Sequence, residues 1–132
     1  LVEHFPAKDL LNVVEIRHSP WVRAQKTASE FCKLAGLKAD LREVPLLEPY
    51  ADFRILADII SATDKDLILV GHEPSLGMLA SYLLSQENQT DIIRLKKGGM
   101  LFLERMETAN VHNNMRNFWQ LRWMMSPRDF LK

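Results

Sequence analysis

The sequence predicts an α/β fold with a mainly parallel sheet. Two observations carry this. Short β-branched apolar runs alternate with longer segments of helical periodicity, and the two most apolar runs, LLNVVEI (10–16) and DLILVGH (66–72), are each followed by a proline-opened helical stretch. At 132 residues with 47% apolar content, the chain is one domain with enough material for a core.

The elements follow in order. Leu10 to Ile16 is expected as a buried strand, ended by Ser19-Pro20. Val22 to Ala35 is expected as a helix, with Ala24, Ala28, Phe31, Cys32 and Ala35 on one face and Gly36 as its stop. Ala39 to Leu47 suggests a short strand and a proline-broken loop. Tyr50 to Ala62 is helical through Phe53, Leu56, Ala57 and Ile60. Asp66 to His72 is the clearest buried strand. Pro74 to Ser85 follows as a helix, with Leu76, Leu79, Ala80 and Leu83 on one face. Asp91 to Met106 is expected as strand, Gly-Gly turn and strand, Asn117 to Met125 as a last strand, and Ser126 to Lys132 as a tail.

Composition excludes some functions. Lys+Arg and Asp+Glu number 17 each, so the net charge is zero, unlike that of a general nucleic-acid or membrane-surface binder. Any anion site must be a local cluster. The single cysteine, Cys32, allows no internal disulfide, fits a reducing, cytoplasmic compartment, and is expected to pack on its helix face. No apolar run approaches the roughly 18 residues of a membrane span, and no segment reads as a signal peptide. No cluster has metal-ligand spacing, and no cofactor is implied.

Two motifs stand at strand ends, where ligands bind in parallel α/β sheets. The first is Ser19-Pro20-x-x-Arg23-Ala24-x-x-Thr27. Ser19 suits an N-cap and Pro20 a first helical turn. Arg23 then lies near a helix start, where anions are favoured, with a guanidinium that grips two phosphate oxygens at once. Taken alone, a solvated surface arginine is the commoner outcome. The second motif is Ile68 to Pro74, ILVGHEP. Gly71 permits close backbone approach, and His72 is able to donate to a phosphoryl group or shuttle a proton. The alternatives are a structural histidine at 72 and a solvated loop carboxylate at Glu73.

Together, SPWVRAQKT and LILVGHEPSLGMLASYLL resemble the histidine phosphatase (phosphoglycerate mutase-like) superfamily, in particular its SixA-like phosphohistidine phosphatase branch. LKKGGMLFLE (95–104) resembles the family's late strand pair, and WMMSPRDFLK (123–132) its closing segment. The resemblance implies a three-layer α/β/α fold and phosphoryl transfer through a phosphohistidine intermediate. It makes Arg23 and His72 catalytic, phosphate-binding residues. His18, Ser19 and Glu73 become candidate pocket-rim residues, and Glu48 a candidate proton donor.

The family's nucleophile lies in an Arg-His-Gly/Ala motif after its first strand. Arg17-His18 imitates this motif but directly precedes Ser-Pro-x-x-Arg-Ala, so the pair is expected to be a decoy. The N-terminal strand with the nucleophile, and most of the first helix, are therefore expected to lie outside these 132 residues. The implied partner is a phosphorylated protein or small phosphorylated substrate. A small-molecule phosphomonoesterase and a non-catalytic phosphate-binding or docking module are the alternatives. His4 and His112 are expected at the surface. Trp119, Trp123 and Met124-Met125 suit either core or an interface, with inward packing on a strand face the expected outcome. Arg94, Lys96 and Lys97 are expected as a solvated basic edge, with docking of an acidic partner as the alternative. The oligomeric state is not legible.

Overall fold

The computed structural model describes residues 7–86, 91–107 and 117–125. His4, His112 and the 126–132 tail lie outside the described residues.

After a 3-10 turn at Ala7–Leu10, strand β1 spans Val13–His18. The strand expected from Leu10 is thus displaced along the chain and runs on to His18. Helix α1 (Val22–Leu34) buries Ala24, Ala28 and Phe31, one stripe at helical spacing. It ends as Gly36 takes φ +65°, and the Leu37 N–H donates to the Cys32 carbonyl at 3.0 Å. Cys32 is half-buried, with its Sγ donating to the Leu37 carbonyl.

Strand β2 (Asp40–Glu43) leads through a 3-10 turn at Pro45–Leu47 to helix α2 (Phe53–Ser61). Asp52 caps α2 by accepting the Arg54 N–H at 3.0 Å. Strand β3 (Asp66–Val70) and helix α3 (Ser75–Ser85) follow. Strands β4 (Met100–Glu107) and β5 (Asn117–Met125) form an antiparallel pair.

The strand expected at the start of the 91–106 stretch does not form. The buried Ser81 hydroxyl accepts the Ile92 and Ile93 N–H groups at 3.1 and 2.8 Å. A strand would need those donors for its own ladder, so this segment is tied to α3 instead.

β1 is central in a parallel sheet of order β2-β1-β3, with His18 opposite Glu43 on one side and Val70 on the other. Helices cover both faces. On β3, Ile68 packs with Phe31 of α1, and the next residue, Leu69, packs with the α2–α3 cluster around Leu56, Ala57, Leu79 and Leu83. This alternation gives the three layers. The hairpin continues them, with Trp123 on the α1 side and Leu103 and Trp119 on the α2–α3 side. Full burial of a side chain such as Ile16, Leu47 or Leu56 contributes about 1.5–3 kcal/mol each.

Among the described residues, β3 and β4 are not paired with each other. A cleft of about 660 Å³ is lined by both, with Leu67 and Leu69 from β3 and Leu101 and Leu103 from β4. β3 was expected to be deeply buried, yet it is only half-buried from Leu67 to Val70, since its outer side borders this cleft. Trp119 also lines the cleft, and its indole N–H is buried with no hydrogen-bond partner among the described residues. Among the described residues, no helix is long and apolar enough to cross a membrane.

Candidate functional site

The site forms where β1 and β3 end side by side. The Ser19 N–H donates to the Val70 carbonyl at 3.0 Å, extending the β1–β3 ladder by one bond. That bond sets the two loops, Ser19–Trp21 and Gly71–Pro74, against each other. Ser19 is fully buried, and its Oγ stands 2.6 Å from His72 Nε2 across 53 residues of chain. The Trp21 indole packs on the His72 ring, with centroids 4.6 Å apart and planes tilted by 47°. Two residues remote in sequence thus become one constellation.

Ser19 is not the α1 N-cap. That position belongs to Trp21, which offers no side-chain cap, and the helix begins at Val22. Pro20 consequently precedes the first turn. The Ser19 hydroxyl instead accepts the Trp21 N–H at 3.2 Å while bonding His72. Arg23 is the second residue of α1 and is exposed, free of burial cost, at the helix end that favours anions.

Burial lowers the His72 pKa below its ordinary 6.5, the Arg23 guanidinium lowers it further, and Glu48 opposes them. Arg23, His72 and Glu48 are therefore electrostatic neighbours. At neutral pH, His72 is an uncharged imidazole beside a permanent cation. Glu48 follows the 3-10 turn and is half-buried.

Gly71 is needed for close approach, though to the protein itself. A Cβ there would stand 2.9 Å from the Leu47 carbonyl oxygen. Glu73 is exposed and serves the helix that follows. Its Oε1 accepts the Gly77 N–H at 2.6 Å, satisfying an orphan donor in the first turn of α3. The helix begins at Ser75, behind a cis Glu73-Pro74 bond, one residue later than expected.

His18 is buried, and its Nδ1 lies 2.9 Å from the Ser19 carbonyl oxygen. Arg17 Nε donates to Glu15 Oε1 at 3.3 Å, and Arg42 Nε reaches the same oxygen at 3.1 Å. The Arg17-His18 pair is thus engaged within and beside the sheet. Sequence reasoning missed two residues here. Trp21 was legible only as an aromatic between Ser-Pro and Arg, and buried Glu15 as a charge within an apolar strand. Among the described residues, no group of three or more His, Cys, Asp or Glu is placed to hold a metal ion.

No protein-family model matches this sequence, and no curated protein matches it either. A solved structure does resemble it, the protein histidine phosphatase SixA complexed with tungstate. The TM-score is 0.62 at 20% identity, covering 90% of this chain and 72% of that one. A parallel sheet with helices on both faces, aligned over nine-tenths of its length, gives this chain the SixA-like, phosphoglycerate mutase-like α/β fold.

Proposed function

We propose that this chain provides the phosphoryl-binding part of a cytoplasmic phosphohistidine phosphatase acting on a phosphorylated protein. The observation that supports this reading is His72 bonded to Ser19 where β1 and β3 end side by side, within the electrostatic influence of Arg23 at the start of α1. A fixed cation and an uncharged imidazole donor suit a tetrahedral oxyanion, and the structural neighbour was solved with one, tungstate.

In this reading a histidine nitrogen attacks the substrate phosphorus in line. The bond from phosphorus to the substrate imidazole breaks, and the departing nitrogen takes up a proton. Water then attacks the phosphoenzyme, its P–N bond breaks, and inorganic phosphate leaves. Arg23 and His72 hold the equatorial oxygens in both steps. Glu48, as a protonated carboxyl, is the candidate donor of that proton, although imidazole needs little acid assistance as a leaving group.

The nucleophile is assigned to a strand outside these residues. Arg17-His18 is engaged elsewhere, and β3 and β4 line one cleft without pairing with each other among the described residues. The test uses the complete gene product and a phosphohistidine-bearing protein. An acid-labile phosphoenzyme and released phosphate are expected, and R23A or H72A should each cut turnover at least a hundredfold. Tungstate or phosphate binding without any turnover would establish the non-catalytic binding module instead. Turnover of small phosphate esters alone would make it a phosphomonoesterase.

A further inference from the structure

We infer that Ser19 is a positioning residue that holds His72 in one tautomer, with the ring proton on Nδ1. The inference rests on hydrogen-bond accounting at a dry site. A serine hydroxyl has one proton to give and two lone pairs to accept with. The Ser19 Oγ already accepts the Trp21 N–H at 3.2 Å. Its other partner is His72 Nε2 at 2.6 Å, and among the described residues no further acceptor is within its reach. Ser19 is fully buried, so water cannot take that proton. Were Nε2 protonated, the hydroxyl would accept twice and its own proton would be stranded, which is costly in a buried group. The hydroxyl therefore donates to Nε2, and the neutral ring must carry its single proton on Nδ1.

The surroundings support this assignment. Trp21 covers one face of the imidazole and Ser19 occupies one edge nitrogen. Among the described residues, Nδ1 has no protein partner, so Nδ1–H is the ring's one donor for a ligand. Ser19 itself is anchored by its N–H on Val70, and its carbonyl lies 2.9 Å from His18 Nδ1. That bond gives the buried His18 a role: it braces the serine that orients His72. The inference deepens the proposed function, since the aimed donor is the one that reading requires for a phosphoryl oxygen.

The test is long-range proton–nitrogen NMR of the histidine rings in the ¹⁵N-labelled chain, with His72 assigned by its loss in H72N. A protonated Nδ1 and a bare Nε2 are expected in the wild type. S19A should lose this state and show mixed tautomers, and S19T should restore it. In a parallel titration with inorganic phosphate, S19A should bind about tenfold more weakly than wild type, with S19T close to wild type. A wild-type ring protonated on Nε2 overturns the inference. So does an unchanged tautomer in S19A, and the wild-type and S19T spectra still decide the matter if S19A does not fold. A wild-type protein with the Nδ1–H tautomer that binds no phosphate supports the role of Ser19 and overturns the proposed function.

Discussion

His72 sits between opposing influences, and its protonation links the site to stability. Its folded pKa lies below the 6.5 of the unfolded chain, chiefly through burial and then through Arg23. As pH falls, the unfolded chain takes up this proton first. The contribution of His72 to stability is complete above 6.5 and is lost as pH falls toward the lower folded value. The melting temperature of wild type should therefore drop more steeply than that of H72N between about pH 7 and about pH 5. An identical slope in both proteins would contradict the shift. A second residue-scale prediction concerns Glu15, whose nearly buried carboxylate meets both Arg17 and Arg42. E15Q keeps the shape but removes the charge, and should cost about 1–3 kcal/mol in urea denaturation.

Among the elements, α3 depends on its first two turns. A Cβ on Gly77 would stand 2.6 Å from the Ile93 carbonyl oxygen and 2.7 Å from a Glu73 carboxylate oxygen. The Glu73 side chain is held by the Gly77 N–H, and Ile93 is backbone pinned to Ser81, so neither gives way. G77A should thus destabilise the fold by about 1–3 kcal/mol, although alanine is the better helix former. A G77A variant as stable as wild type in chemical denaturation would refute this close packing. The same contacts explain why 91–99 is not a strand. At its start the segment is tied to α3, with the Ile92 and Ile93 amides committed to a serine hydroxyl.

At the scale of the whole molecule, the two halves of the core meet across the cleft. Leu69 of β3 and Leu103 of β4 both pack on the α2–α3 cluster, yet their strands do not pair. Open backbone edges around an apolar gap are an unstable arrangement unless covered. On the proposed reading a further strand fills this cleft, so a protein that carries it should protect the β3 amides of Leu67 and Leu69 from hydrogen exchange far better than residues 1–132 alone. Equal exchange in the two proteins would show that no strand occupies the cleft. L56A, deep in the α2–α3 cluster at 1% exposure, should cost about 2–5 kcal/mol in either form.

The amino-acid sequence by itself determined the alternation of strands and helices from β1 to α3, the helix faces and the two strand-end motifs. Ala24, Ala28 and Phe31, or Leu56, Ala57 and Ile60, announce their buried sides by spacing alone, because helical geometry is local. That the Ser19 and His72 loops lie side by side was also legible, since parallel strands deliver their ends to one edge. Only the tertiary structure decided what the hydroxyl of Ser19, the carboxylate of Glu73 and the N–H groups of Ile92 and Ile93 bond to. Each of these polar groups has a plausible local partner. The choice among partners depends on which distant segment arrives within 3 Å, and that distance is a property of the packed molecule.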